Sequence, residues 1–188
     1  MVFTSADGDK IYSHLALFWG LLADADIESD RYRVLGPARF TVGGIVRIVN
    51  LRSYQGILRY LPYESESKNV LPDDIEEIPQ QYSATDPHKC PEGWTQLDTK
   101  FILFSATNVP WVGEDICIAP RAKCNDGAID LVWIEREKTT KADLAKILLA
   151  VDTGEEINHP CLHYQKVKAF SLIPTDIGII DIDGEQYS

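Results

Sequence analysis

The sequence predicts an α+β domain in which strands predominate. Three observations carry that expectation: a series of apolar or alternating runs bounded by turn residues, a capping-box helix start near residue 140, and a helical periodicity near residue 42. At 188 residues the chain has the size of one domain with room for a core, and no internal repeat divides it.

Ile11 to Ala23 is almost wholly apolar after Tyr12-Ser13-His14 and reads as one long buried strand or two joined ones. Ile27 to Leu35 carries helix-forming residues and stops at Gly36-Pro37. From Arg39 to Arg52, the residues Val42, Ile45, Val46 and Val49 follow i, i+3, i+4, i+7 spacing, which predicts a helix with those four as its apolar stripe. Gly43-Gly44 and the β-branched residues oppose it. Gly56 to Pro62 then alternates as a strand.

Residues 63–92 differ in composition. Eight acidic side chains in 64–92 face only Lys68 and Lys89, so this block holds -6 of the net charge of -11. Apolar residues are scattered there, and the expectation is a solvated, mobile insertion, with a regulatory element as the alternative. Ser65, Ser67 and Ser83 lie in it.

Beyond it, Phe101 to Ala106 is a continuous apolar run suited to a central strand, and Ile116 to Ala119 is a short one. Asn125-Asp126-Gly127 is a turn leading into a strand from Ile129 to Glu135. Thr140-Lys141-Ala142-Asp143 starts a helix whose stripe is Leu144, Ile147, Leu148 and Val151 and which Gly154 closes. Strands resume at His163–Ile173 and Ile177–Ile182, before Asp183-Gly184-Glu185.

Composition narrows the functional classes. A hydrophobic fraction of 45% is that of a globular chain. The net charge of -11 opposes non-specific nucleic-acid binding, which rests on neutralising phosphates, yet leaves room for ATP, which needs only a few local cations. Cys90, Cys117, Cys124 and Cys161 form no C-x-x-C pair and no zinc-type spacing, so free thiols in a reducing cytosol are expected. Met1 to Lys10 is polar and acidic, unlike a secretory signal. The longest apolar run, Leu15 to Ala23, is too short to span a bilayer, so the expected location is cytoplasmic, at most peripheral to a membrane.

The residues with the most chemistry lie between Leu15 and Gly44, where an apolar wall ends in Asp24 and Asp26 and is followed by Arg33 and Arg39. Carboxylates pair with ammonium and hydroxyl groups, and guanidinium forks match phosphate oxygens. On a strand Asp24 and Asp26 would share a face; in a turn, either could cap the next helix, and the plainer reading is that Asp26 does so. Arg33 and Arg39 could converge across Gly36-Pro37 as a phosphate clamp, or Arg33 could pair with Asp30 or Asp26 at the surface. Asp183-Gly184-Glu185 by itself reads as a hairpin turn carrying two carboxylates. His14, His88, His159 and His163 do not cluster at ligand spacing, no metal site is expected, and no glycine-rich phosphate loop is present.

LALFWGLLADADIESDRYRVLGPARFTVGG resembles the sphingosine kinases, lipid kinases related to the diacylglycerol kinases. The likeness continues through LRSYQGILRYLPYE, CIAPRAKCNDGAIDLVWI, ADLAKILLAV, VKAFSLIP and DIDGE, so it covers nearly the whole chain outside the acidic block. NDG-x-x-DL is similar to the diacylglycerol-kinase-like enzymes more broadly. The resemblance implies an antiparallel, β-sandwich-like lipid kinase C-terminal domain spanning 1–188. It implies transfer of the ATP γ-phosphate to the primary hydroxyl of a sphingoid base, with Mg²⁺ accompanying ATP. By position, Asp26 resembles the carboxylate holding the sphingoid head group; Arg33, Arg39, Asp183, Gly184 and Glu185 resemble the nucleotide-binding residues. Leu21, Leu22, Ala25, Leu144, Ile147 and Leu148 are candidates to line the lipid tail, with ordinary core the plainer reading of each.

The family's nucleotide-binding domain, whose Gly-Asp-Gly motif supplies the catalytic base, has no counterpart in these residues. No catalytic residue is therefore assigned here, and the 188 residues alone are expected to be an inactive fragment. The competing readings are a non-catalytic lipid- or partner-binding module, and a kinase of the same family acting on diacylglycerol or ceramide. Asp26 separates the lipids, because diacylglycerol has no ammonium to offer it.

Overall fold

The computed structural model describes residues 1–5, 7–29, 38–63 and 89–187, with the backbone alone for 28–29 and 38–41. Eleven strands and three helices are present among them: β1 Val2–Thr4, β2 Lys10–Tyr12, β3 Ala16–Gly20, α1 Leu21–Ser29, α2 Ala38–Val49, β4 Tyr54–Pro62, β5 Thr95–Thr107, β6 Trp111–Gly113, β7 Ile116–Cys117, β8 Ile129–Glu135, α3 Lys141–Ala150, β9 Leu162–Pro174, β10 Ile180–Ile182 and β11 Glu185–Tyr187. Seven strands form the main sheet in the order β11-β10-β3-β5-β4-β9-β8, and every pairing in it is antiparallel. The mainly β, sandwich-like class expected from the sequence is the one observed.

One strand organises the sheet. The N-terminal half of β5 pairs with β4 from Thr95 to Phe101, and its C-terminal half pairs with β3 on one side and β8 on the other. Because β8 also pairs with β9, and β9 with β4, the four strands close on themselves. The register of β5 shifts between Phe101 and Leu103 against β8, a bulge that puts Ile102 and Leu103 on the same outer face. Phe101 and Phe104 consequently both point into the inner core, with Trp19, Leu58, Leu131 and Trp133. The outer face, with Ile102, Val132 and Ile134, is covered by Ile48 of α2 and by Leu144 and Ile147 of α3.

Several boundaries differ from the sequence expectation. The apolar run does not continue as strand to Ala23: β3 ends at Gly20 and α1 begins at Leu21. Gly20 has φ +80°, and a Cβ there would stand 2.5 Å from the carbonyl oxygen of Ile102, so the strand-to-helix turn needs both its backbone freedom and its missing side chain. The helix expected over Ile27–Leu35 therefore starts six residues earlier, and 30–37 lie outside the described residues. β5 begins at Thr95, not Phe101; apart from Leu97, Thr95 to Lys100 are polar and mostly exposed, so the apolar signal starts only at Phe101.

Helix α2 is where the periodicity predicts it, but its buried face is not the predicted stripe. Gly43, Gly44, Arg47 and Ile48 are buried, whereas Ile45 is 52% and Val49 61% exposed. Gly44 gives a flat surface on which α3 sits closely; a Cβ there would lie 3.4 Å from Leu148 Cδ1. Lys141 Nζ donates to the carbonyl of Val49, closing the C-terminus of α2 against the start of α3. At α3 the capping box is complete: Thr140 Oγ1 accepts from Asp143 N–H, and the Asp143 carboxylate accepts from Thr140 N–H.

The acidic block leaves and re-enters at the β4–β5 hairpin, and residues 64–88 lie outside the described residues. Buried Arg59 holds its base, donating from Nη1 to Lys89 C=O at 3.1 Å and from Nε to Gln96 Oε1 at 2.8 Å. All four cysteines are unpaired, and no helix among the described residues is long and apolar enough to cross a membrane.

Gly20→Ala is expected to lower stability by more than about 1 kcal/mol, since it adds left-handed strain and a backbone clash. Urea unfolding at unchanged slope measures it; a midpoint equal to wild type would show that the turn relaxes freely.

Candidate functional site

Helix α1 lies across β3, β5 and β10 and carries both carboxylates of the apolar-to-acidic junction. Being two residues apart on a helix, Asp24 and Asp26 are about 200° apart around its axis, so they neither share a face nor cap a following helix. They serve different neighbours.

Asp24 is buried and turns toward the start of β4. Tyr54 donates its hydroxyl to Asp24 Oδ2 at 2.7 Å, and Arg52 Nη1 stands 3.7 Å from the same oxygen. Burial, and then the neighbouring carboxylate, push the Tyr54 hydroxyl above its ordinary pKa, so it remains a donor at neutral pH. Asp24 thus fastens α1 to the sheet.

Asp26 is half-buried and turns toward β10, where it meets Asp181. Asp181 is fully buried. Its Oδ1 accepts from the N–H of Gly184 at 2.8 Å, while Oδ2 meets no hydrogen-bond donor among the described residues. Burial first, then Asp26 and Asp183, hold the Asp181 carboxyl well above the usual carboxylate range.

The Asp183-Gly184 turn joins β10 to β11, with φ +55° at Asp183 and +88° at Gly184, the backbone a two-residue type I′ hairpin requires. The Asp183 carboxylate is committed to its own chain. It accepts from Ser13 Oγ and from the N–H groups of His14, Leu15 and Ala16 at 2.8 to 3.1 Å, with His14 Nδ1 3.0 Å away. Although burial opposes it, these bonds hold the carboxyl below its ordinary pKa. Asp183 therefore locks the entry into β3. Glu185 is exposed beside Tyr187.

The structure thus links Asp26 to the 183–185 turn through Asp181. Arg39 lies in the first turn of α2 with its side chain outside the described set, and Arg33 lies outside the described residues altogether. Leu21, Leu22, Leu144, Ile147 and Leu148 gather in one apolar layer between the sheet and the helices, and Ala25 is half-buried on α1. No group of three His, Cys, Asp or Glu side chains among the described residues could hold a metal ion, so Mg²⁺ has no such ligand set on them. His163 stacks on Trp133 and lies 3.1 Å from Glu135, His159 faces Cys161 and Asp143, and His88 lies outside the described residues.

The NDG-x-x-D segment holds a second charged group. Asp126 caps its own turn by accepting from Ala128 N–H, and Lys166 donates to both Asp126 (2.8 Å) and Asp130 (2.9 Å). Burial alone would lower the Lys166 pKa; the two carboxylates outweigh it, and the group stays cationic. Tyr164 hydrogen-bonds Asp130 from the other side. Every group there has a partner, which marks it as a brace between β8 and β9.

Asp181 was not singled out by sequence reasoning. An acid flanked by isoleucines in a strand is the available signal, because a carboxyl buried there needs a proton or a cation.

Comparison with known proteins gives the architecture a family. Residues 92–188 match the YegS C-terminal NAD kinase beta sandwich-like domain. The chain is 34% identical to sphingosine kinase 1 of Arabidopsis thaliana, over 94% of its own length and 39% of that protein. It is likewise 34% identical to sphingosine kinase 1 of Homo sapiens, over 96% and 49%. The chain thus spans less than half the length of these curated relatives. A solved structure from Bacillus anthracis str. Sterne, described as a candidate diacylglycerol kinase, superposes with a TM-score of 0.54 at 14% identity, over 95% of this chain and 47% of that one. At that identity the likeness is one of fold.

Tyr54→Phe leaves the buried Asp24 carboxylate without its hydroxyl donor and is expected to cost about 1–3 kcal/mol, read from chemical denaturation. Stability should also fall as pH rises. The folded protein holds Asp181 above its ordinary pKa, and burial raises Glu156 from 4.5 to about 7, so between the ordinary and the raised values the native state binds more protons than the unfolded chain. Asp183, shifted downward, gives up its contribution only at more acidic pH. Unfolding midpoints should therefore be higher at pH 5 than at pH 8, each raised group contributing at most about 1.4 kcal/mol per pH unit. Glu156→Gln should shrink the difference; an unchanged midpoint across that window would contradict the assignment.

Proposed function

The chain belongs to the family of YegS C-terminal NAD kinase beta sandwich-like domains, as a sphingosine kinase-like lipid kinase C-terminal domain, and we propose that it is the lipid-holding part of a sphingosine kinase. The reaction is transfer of the ATP γ-phosphate to the primary hydroxyl of a sphingoid base, giving sphingosine 1-phosphate. The observation that carries this reading is the junction of Asp26, Asp181 and the Asp183-Gly184 turn. It sets the carboxyl matched to a sphingoid head beside the turn matched to the nucleotide. Phosphoryl transfer needs those two ends adjacent and in line.

In this reading Asp26 accepts from the ammonium and hydroxyl of the head group. Arg33 and Arg39 contact the ATP phosphates, and Gly184 and Glu185 border the nucleotide. Asp183 contributes through the turn it fixes, since its carboxylate is occupied by residues 13–16. ATP supplies the phosphoryl group and Mg²⁺ accompanies it. The apolar layer around Leu22, Leu144 and Leu148 is the surface against which a tail would lie. Exposed Ile45 and Val49 on α2 and Leu149 on α3 suit peripheral contact with the membrane holding the lipid. A diacylglycerol substrate fits less well, because it leaves the carboxyls without an ammonium.

Purified 188-residue protein given sphingosine, ATP and Mg²⁺ is expected to form no sphingosine 1-phosphate, the base residing in a Gly-Asp-Gly motif these residues do not contain. Measurable turnover would overturn that division of labour. The protein should nevertheless bind sphingosine in preference to diacylglycerol, and Asp26→Asn should weaken sphingosine binding by about tenfold, the scale of one charge-assisted contact. Equal binding of both lipids, or an Asp26→Asn variant that binds sphingosine like wild type, would remove the sphingoid assignment.

A further inference from the structure

We propose that the single 3₁₀ turn Glu155–Asn158, between α3 and β9, is a proton-held latch: the protonated Glu156 carboxyl keeps it closed against Cys117, and loss of that proton opens the turn to water and exposes the thiol. The inference stands apart from the sphingoid reading, since it involves no ligand.

The turn is fastened on both sides of Glu156. It is entered through Gly154, with φ +73°, where a Cβ would stand 3.1 Å from Cys117 Sγ and 3.1 Å from Pro120 Cβ. Cys117 N–H donates to the Val151 carbonyl at 2.8 Å and ties β7 to the end of α3. His159 N–H donates to the Glu156 carbonyl at 2.9 Å and closes the turn at its far end. Ile157 packs into the apolar layer of Leu144, Ile147 and Leu162 between the sheet and the helices. Glu156 sits in this junction at 3% exposure, and neither of its carboxylate oxygens meets a hydrogen-bond donor among the described residues. Asp24 and Asp181 each keep one bonded oxygen; Glu156 has none.

An ionised carboxylate so placed is strongly disfavoured, whereas the protonated acid brings no net charge inside. The neighbouring groups add to this. Past the end of α3 stands Asp152, a like charge, and from β7 comes the Cys117 thiol, whose pKa is raised by burial and then by Glu156. Glu155 of the turn itself is exposed. From β9, Tyr164 is held by Asp130 with Arg121 over its ring, and Cys161 faces His159; none of these is among the groups acting on Glu156. Burial lifts the Glu156 pKa to about 7, with its own backbone N–H opposing and Asp152 assisting. In the open turn the solvated carboxyl returns to its ordinary 4.5, so opening releases a proton. Opening is therefore favoured by up to about tenfold per pH unit as pH rises between those two values, and it levels off above the higher one.

Hydrogen exchange of the 188-residue protein tests this, read on the amides of 154–158 and of Cys117 and divided by their intrinsic rates. From about pH 5 toward about pH 7, opening should increase by up to about tenfold per unit, and then level off. Maleimide labelling gives an independent readout. The rate at buried Cys117 relative to exposed Cys124 should follow the same curve, the thiolate dependence common to both being divided out. Glu156→Gln, which keeps the shape of the protonated acid, should hold both readouts flat over this range. Asp152→Asn removes the like charge and should move the levelling-off to lower pH. The inference is overturned if wild type opens equally on both sides of neutrality, if Glu156→Gln keeps the wild-type pH response, or if exchange rises at 154–158 while Cys117 stays as protected as before. A parallel rise at the β8 amides would mean global unfolding and would overturn the latch too. Should Glu156→Gln fail to fold, Asp152→Asn decides: a curve that levels off at the wild-type pH or above it sinks the inference.

Discussion

Strand β5 is the constraint on which the rest of the structure depends. Thirteen residues serve three partners, and they can do so because the bulge at Ile102–Leu103 changes which side chains face inward midway along the strand. Without that extra residue, strict alternation would turn one of the Phe101–Phe104 pair outward. The same bulge brings the Ile102 carbonyl against the Gly20 turn, so the point where β5 bends is the point where α1 starts. Closure of the β5-β4-β9-β8 ring and placement of the acidic helix are therefore consequences of one irregularity.

On this scaffold the carboxylates are divided by how completely they are matched. Asp183, Asp143 and Asp126 are engaged by their own neighbours and shape turns, caps and strand entries. Asp24 is half matched, through Tyr54 and Arg52. Asp26 and Asp181 face each other, the arrangement that favours a proton or a cation. Among the described residues, the buried carboxylate oxygens that meet no donor are Asp24 Oδ1, Asp181 Oδ2 and both oxygens of Glu156, in contrast to the fully paired Lys166 group.

Much of the fold is legible in the sequence because local chemistry decides it. The Thr140–Asp143 box, the Asp183-Gly184 turn and the apolar strands at Phe101 and Ile129 depend on neighbours in the chain. What was not legible depends on tertiary contact. An apolar run through Gly20 reads as strand because the carbonyl that forces the turn comes from residue 102. The stripe on α2 was misplaced because glycines carry no hydrophobic signal, yet Gly43 and Gly44 form the packing face. Asp26 could be singled out from its position in a recognised segment; Asp181 could not, since its meaning comes from a helix more than 150 residues earlier in the chain.

The β4–β5 hairpin has a consequence for how this domain can vary. Its strands pair from Tyr60 with Thr95 downward, and Arg59 ties the two ends together through Lys89 and Gln96. Closing a loop between ends already held in place costs little more as it lengthens, roughly 0.6 kcal/mol per doubling. Segments of very different length and charge can thus be exchanged at this point while the closed ring is untouched. The domain carries a built-in splice point, where new regulation can be added without renegotiating the fold.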